Sequence, residues 1–370
     1  MTDRLDSSTG PTSMVLSDHA PSRPARVAVA AAIASLAVAF LCGFTVQRRL
    51  PGIASHSDFA VQWFCTKVLW TGGNPYAAAG PGRSFDWPAP LVYPATALVA
   101  IAPLAGLPLH VAEAAFLAFG TAALAYLLTA RGWWRLCVFL SAPFSVAITT
   151  VQWSPLLAAA AVAPPLAWLV AAKPSVGLAI AAYCPHRRWL RWAIGGGAAL
   201  AVAAFALEPS WVGSWLGALA QRPAADTGVS SGTAGFYSAP VALPGGAVVL
   251  LAVLRWRRPE ARLLAAMASV PHIMTGYELV PLIALVPATF AEALLLAVGS
   301  WVARYGFAFG QPYADLNASY RAAGVWGLWC VLVPMTLMVL SRPNEGEVPA
   351  SMDRAASFVR RAIRRCWYRL

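Results

Sequence analysis

Eleven apolar runs follow one another along this chain, most of them separated by short polar breaks, the first from Val27 to Val46 and the rest at roughly 91–106, 109–130, 136–150, 154–172, 174–184, 192–207, 238–254, 263–276, 279–299 and 322–341. A run of about 20 such residues is solvated by lipid. Charged residues make up only 11% of the chain and hydrophobic ones 59%, where soluble domains run near a quarter charged. Too little polar surface is left to wrap a water-exposed globule. The alternating ten-residue strands of a membrane β-barrel are absent. The expected class is an all-α polytopic membrane protein.

Of the 27 basic residues only Lys67 and Lys173 are lysine, which leaves 25 arginines and a net charge of +12. The arginines collect between apolar runs, at Arg187/Arg188/Arg191, at Arg255/Arg257/Arg258/Arg262 and from Arg354 to Arg369. That is the pattern of cytoplasmic loops, so it argues against a nucleic-acid partner and puts all three clusters on one side. The six cysteines have no C-x-x-C spacing and the five histidines no metal-ligand spacing. Neither a disulfide framework nor a zinc site is expected. No divalent-ion cluster is visible, so neither a metal nor another cofactor is expected. Walker, dinucleotide-binding, kinase, zincin and nucleophile-elbow signatures are missing as well.

Three regions follow. Residues 1–26 read as a disordered cytoplasmic tail, 27–341 as the membrane domain, and 342–370 as a basic cytoplasmic tail whose end, Phe358 to Leu370, suits a helix lying on anionic lipid. Within the membrane domain, residues 48–90 form the first extracytoplasmic loop. There Asp58 to Trp70 has helical periodicity, with Phe59, Trp63 and Trp70 on one stripe and Asp58, Gln62 and Cys65 on another. This predicts a helix lying in the membrane interface, stopped by Gly72-Gly73-Asn74-Pro75. Runs of only 10–14 residues predict half-length helices broken around Pro271, Pro281 and Pro287. Broken backbone at membrane depth is tolerated only when packed in protein or lining a cavity, so it points to a site.

Few groups are available for acid–base chemistry. Outside the tails and the arginine cluster around Glu260, the acidic residues are Asp58, Asp86, Glu113, Glu208, Asp226, Glu278, Glu292 and Asp315. Asp58 follows Ser57 at the start of the interfacial helix. It is either a partly desolvated base or an N-terminal cap. Lys173, before Pro174, either neutralises a lipid-carrier phosphate or snorkels from a helix end. The island Pro271-His272-Ile273-Met274-Thr275-Gly276-Tyr277-Glu278 offers His272 and Glu278 to a sugar or phosphate, or else closes a broken helix. Gln152 interrupts another apolar region and is open to interhelical hydrogen bonding. Tyr93 and Trp87, in Asp86-Trp87-Pro88-Ala89-Pro90-Leu91-Val92-Tyr93-Pro94, stack on a sugar or anchor at the interface. Glu113 and Glu292 read as interhelical or interface residues.

In this order the islands resemble the family 87 glycosyltransferases, bacterial membrane enzymes of the GT-C fold that use polyprenyl-phosphate-mannose. The carriers of the resemblance are Asp58 opening its helix, Gly73-Asn74-Pro75-Tyr76, Leu91-Val92-Tyr93-Pro94, the Gln152 segment, Lys173-Pro174 before Arg187-Arg188-Trp189, and Pro271-His272 with Tyr277 and an acidic residue after it. It covers residues 27–341. It implies a GT-C-like fold of about 10–12 transmembrane or half-membrane helices in the bacterial inner membrane, with the active site facing the periplasm. It also implies Asp58 as catalytic base and a donor phosphate and sugar held by Lys173, His272, Tyr277, Glu278, Gln152 and Tyr93. Asp86, Trp87 and Gln62 fall on the side of a lipid or glycan acceptor. The chain departs from the pattern where Val151 replaces the usual Gly before Gln152 and Glu278 replaces Asp. A secondary transporter, or a flippase-like or scaffolding partner in surface-polysaccharide assembly, is the competing expectation.

Overall fold

The computed structural model describes residues 21–47, 56–87, 89–184, 186–227, 239–271, 276–311, 316–346, 348 and 353. The fold is 77% helical, as the apolar runs require. α1 (Arg23–Gln47) is long because nothing between Ala25 and Cys42 breaks it. α2 (Asp58–Trp70) and the single turn α3 (Pro75–Ala78) follow, the latter capped by the Asn74 side chain. A two-residue parallel ladder, Ala79↔Phe85 and Gly80↔Asp86, is the only strand pairing among the described residues. The short α4 (Ala95–Ala100) leads to α5 (Leu109–Thr129), which lies antiparallel to α1. The Arg26 guanidinium fixes that pairing by donating to the Tyr126 carbonyl at 2.7 Å, so the start of α1 sits beside the end of α5.

From here proline sets the architecture. It presets φ and lacks an N–H, so it opens helices and cannot continue them. Each short helix has one in its first turn: Pro143 in α6 (Ala142–Thr150), Pro155 in α7 (Ser154–Val162) and Pro174 in α8 (Pro174–Tyr183). Before α6 and α8 the chain runs as 3-10 turns, at Trp133–Leu140 and Pro164–Ala172. α6 and α7 meet at a bend of 116°. α9 (Arg187–Leu207) is long again, and α10 (Trp211–Thr227) follows it. After the 3-10 segment Gly246–Arg255 come α11 (Pro259–Ser269), the turn Tyr277–Leu279, α12 (Val280–Leu285) and α13 (Phe290–Phe309). Of the prolines at the expected breaks, Pro271 and Pro287 fall between these elements, and Pro281 sits in the first turn of α12. α14 (Leu316–Gly327) continues through a π-helical turn, Leu328–Leu332, into α15 (Val333–Leu340).

Among the described residues four helices are long and apolar enough to cross a membrane: Arg23–Val46, Leu109–Thr129, Arg187–Leu207 and Arg321–Leu340. The bent pair α6–α7 makes a fifth if it counts as one span. The remaining apolar segments, such as Pro174–Tyr183 and Gly246–Arg255, are shorter. This is an all-α chain compatible with a multi-pass membrane protein.

Two ends of the bundle differ in chemistry. At one, Arg255 donates to the Arg342 and Leu340 carbonyls at 2.6 and 2.9 Å, and Arg262 to the Ala182 carbonyl at 2.8 Å. Arg342 also bridges Glu260 at 3.0 Å and Glu292 at 2.5 Å, so Glu292 belongs to this arginine-rich end. Glu113, near the start of α5, marks the other end, some 24 Å from Thr129 at ~1.5 Å per residue.

Candidate functional site

α2 starts at Asp58 because Ser57 caps it. The Ser57 hydroxyl accepts from the Ala60 amide at 3.1 Å and donates to the buried Glu113 carboxylate. Capping is therefore done by Ser57, and the Asp58 side chain turns elsewhere. Its Oδ2 accepts from Gln152 Nε2 at 2.5 Å and from Tyr277 Oη at 3.4 Å. Asp58 is half-buried, while Gln152 and Tyr277 are buried.

The interfacial reading of α2 needs a correction. Its polar stripe faces into the protein: Gln62, Cys65 and Thr66 are buried, and the exposed side carries Lys67 and Trp70. The reason is that every one of these polar groups has an internal partner. Gln62 donates to the Asp58 carbonyl at 2.9 Å and accepts from Trp153 Nε1 at 2.7 Å; Thr66 donates to the Gln62 carbonyl at 2.8 Å. Cys65 donates to the Pro75 carbonyl at 3.6 Å. Gln62 thus stands behind the carboxylate and away from any surface open to an acceptor. Burial pushes the Cys65 thiol up to about 12 and raises the Tyr76 phenol, so both stay protonated.

Gln152 reaches Asp58 because the chain reverses at Val151. That residue ends α6 with φ 53° and ψ 70°, in the left-handed region, and is fully buried. A β-branched side chain is strained there, and glycine is the residue that takes the conformation freely. Tyr93 Oη donates to Gln152 Oε1 at 3.2 Å. The segment holding Tyr93 is pinned in turn, its carbonyl accepting from Tyr76 Oη at 3.1 Å and the Val92 carbonyl from Trp215 Nε1 at 2.8 Å. Behind the carboxylate, Phe59, Phe116 and Trp153 pack with successive ring centroids 4.9 Å apart.

Lys173 sits between the 3-10 segment Pro164–Ala172 and α8. A Cβ added at Gly197, near the middle of α9, would meet Ala171 Cβ at 3.6 Å, so the end of the 3-10 segment packs on α9 there. Lys173 does not snorkel. Its Nζ lies 2.5 Å from Glu278 Oε1, with side-chain exposures of 12% and 1%, and 4.6 Å from the centre of the Tyr277 ring. Tyr277 therefore touches Asp58 through its hydroxyl and Lys173 through its ring. Asp58, Gln152, Tyr93, Tyr277, Lys173 and Glu278, scattered over 221 positions of sequence (58 to 278), form one connected cluster.

Two expectations, Asp86 and Trp87, lie apart from it, and a third falls where nothing is described. His272 is outside the described residues. Asp86 is exposed and accepts from the Gly82 amide at 2.9 Å. Trp87 is half-buried in a group of rings around Phe85, with His56 5.4 Å from Phe85 and Trp87 6.1 Å from it. Because His56 is two residues before Asp58, this group borders the first turn of α2. Among the described residues no cluster of three or more His, Cys, Asp or Glu side chains is placed to hold a metal.

Sequence reasoning missed Ser57 and Trp153 as parts of the support, and it read Glu113 as an interhelical or interface residue without naming Ser57 as its partner. The signal for Glu113 was present: an acid inside an otherwise apolar helix needs a partner. Comparison with family models, with characterised proteins and with solved structures finds no match to this chain.

Proposed function

We propose that the chain is a membrane glycosyltransferase that moves a hexose, mannose by its resemblance to the family 87 enzymes, from a polyprenyl-phosphate donor to a lipid or glycan acceptor. The observation that carries this reading is the single side chain, Tyr277, shared by a half-buried carboxylate and a nearly buried lysine. An acceptor hydroxyl beside Asp58 gives its proton to the carboxylate as its oxygen attacks the anomeric carbon. The bond from that carbon to the phosphate oxygen breaks on the opposite side, and the electron pair leaves on polyprenyl phosphate. Lys173 stabilises the charge that develops there. One displacement inverts the anomeric configuration. The arginine-rich end faces the cytoplasm by the positive-inside rule, so the Asp58 end opens on the extracytoplasmic side of a bacterial inner membrane. The ring group of His56, Phe85 and Trp87 is the acceptor side of this reading.

Incubating the purified protein with labelled polyprenyl-phosphate-mannose and lipid acceptors tests it. The expected product carries mannose with the anomeric configuration opposite to the donor's. Absence of transfer to every acceptor, together with hydrolysis-free recovery of the donor, counts against it.

A second reading is supported by the charge of the site. Asp58, Lys173 and Glu278 bring ionisable groups together inside a largely apolar chain, a set also suited to proton-coupled transport. It predicts proton uptake into liposomes driven by a solute gradient, which a transferase does not produce.

A further inference from the structure

A cleft of about 1150 Å³ opens on the side of the bundle between α1 and α13, floored by α6 and the 3-10 segment Trp133–Leu140. None of Asp58, Gln152, Tyr277, Lys173 and Glu278 lines it, so its own walls and ends decide what fills it. Its lips, Leu36, Phe40, Leu140 and Phe290, are exposed apolar side chains, which meet lipid in a chain of this class. α13 and the 3-10 segment run side by side. Trp301 Nε1 donates to the Leu140 carbonyl at 2.7 Å, and Ser300 Oγ accepts from the Ala142 amide at 3.0 Å. Eleven residues of α13 from Phe290 to Trp301 at ~1.5 Å, and the eight of the 3-10 segment at ~2 Å, both span about 16 Å. That is half of a ~30 Å hydrocarbon core, the depth of one leaflet.

The cleft begins at the arginine-rich end of the bundle, with Arg131, Trp133 and Trp134 at its mouth. Gly132 turns the chain there at φ 129°, and a Cβ on it would stand 2.7 Å from Trp134 Nε1. Only glycine lets the Trp134 ring fold back so closely, under the Arg135 guanidinium 4.3 Å from its centre. The arginines of this end differ in their partners. Arg342, Arg257 and Arg258 each reach a carboxylate. Arg26, Arg131 and Arg135 do not: among the described residues their polar partners are the Tyr126 carbonyl at 2.7 Å, the Tyr183 hydroxyl at 3.3 Å and the Ala284 carbonyl at 3.1 Å. Glu260, whose charge acts on Arg135, is already bridged by Arg258 and Arg342. Positive charge that no carboxylate balances therefore gathers at the mouth, where Arg131 is exposed. Each such arginine near a membrane surface draws anionic lipid by about 1 kcal/mol. Trp133, also exposed, is the residue type that settles at headgroup depth.

We propose that the cleft is a site for an anionic glycerophospholipid of the leaflet at the arginine-rich end, its phosphate at Arg131, its ester region at Trp133 and an acyl chain between α1 and α13. Moving that chain from bilayer to cleft exchanges one apolar environment for another, so packing alone contributes there. The headgroup charge decides which lipid is held. Phosphatidylcholine carries the same phosphate with a cation attached, so it gains little from these arginines. The site requires no sugar transfer and does not depend on the function proposed above.

The test titrates the full-length protein, delipidated in detergent, with phosphatidylglycerol or with phosphatidylcholine of the same acyl chains, and counts bound lipid by native mass spectrometry. Wild type should prefer phosphatidylglycerol. Arg131→Gln should weaken it about fivefold (about 1 kcal/mol) and leave phosphatidylcholine unchanged, while Arg131→Lys keeps the charge and the binding. Arg188→Gln removes an exposed arginine of the same end that does not line the cleft; its charge is screened from the lipid, so it should change binding by less than about twofold. Phosphatidylglycerol with a photoactivatable acyl chain should label wild-type protein within 33–40 and 136–145. Equal binding of the two lipids by wild type, wild-type binding by Arg131→Gln, an equal loss in Arg188→Gln, labelling elsewhere, or displacement of phosphatidylglycerol by equimolar decaprenyl phosphate each overturns the proposal. Should Arg131→Gln fail to fold, the lipid preference and labelling of wild type and the binding by Arg131→Lys decide it.

Discussion

Lys173 and Glu278 show most sharply how single residues are constrained here. With exposures of 12% and 1% at 2.5 Å, neither charge tolerates loss of the other, because an uncompensated buried ion costs about 3–5 kcal/mol. Lys173→Met is therefore expected to lower stability by that order, and Lys173→Met with Glu278→Leu to recover most of it, as read in detergent melting curves; additive losses in the double variant contradict the pairing. Cys65 offers a simpler check. Fully buried, with its thiol pushed up to about 12, it carries almost no thiolate at pH 7 and should resist maleimide until the protein is denatured. At Val151 two effects oppose each other. Glycine relieves about 1–3 kcal/mol of backbone strain but gives up about 1.5–3 kcal/mol of side-chain burial, so Val151→Gly should be close to neutral, whereas Val176→Gly, buried at an ordinary helical position in α8, should be clearly destabilising. Gln152 and Lys173 were legible because each interrupts apolar sequence and so needs a partner, whereas the grouping of Asp58, Tyr93, Tyr277 and Glu278 with them came from the family resemblance. Which partner each one finds was not legible: Tyr93 with Gln152 and Gln62 with Trp153 join positions 59 and 91 residues apart, and no local pattern encodes that.

At the scale of elements, proline decides what is a span and what is a fragment. The breaks were legible because the missing N–H and fixed φ act locally. The burial of α2 was not, since periodicity finds two stripes on a helix without saying which one meets protein. The turn between Gly246–Arg255 and α11 is joined to the end of α15 through arginine. Arg258 donates to the Pro343 carbonyl at 2.6 Å, the Arg257 backbone amide donates to Asn344 Oδ1 at 3.0 Å, and Arg342 bonds Glu260, Glu292 and the Val286 carbonyl. Arg342→Ala removes the last three at once and leaves two carboxylates without that partner. A loss of about 3 kcal/mol is expected, with Glu260→Gln milder; thermal unfolding of the two variants measures the difference, and equal stability to wild type for both argues against a clamp.

For the whole molecule, the polar cluster and the arginine-rich end lie at opposite ends of α5, and composition foretold only the membrane class and the segregation of arginine. Cysteine accessibility reads the orientation directly. In a Cys42→Ala background, Ala77→Cys, exposed on the loop that carries α3, should react with an impermeant maleimide in intact cells, and Arg188→Cys, exposed at the start of α9, only after permeabilisation. The reverse pattern puts the site on the cytosolic side and removes any lipid-linked donor of the outer leaflet from consideration. The central claim is that the Asp58 carboxylate takes the acceptor's proton. Its most direct test compares mannose transfer by wild type and Asp58→Asn at matched melting temperature. Base catalysis is worth about 10²–10⁴ in rate, and the account predicts a loss of that size with donor binding retained; transfer at the wild-type rate by the amide variant contradicts it.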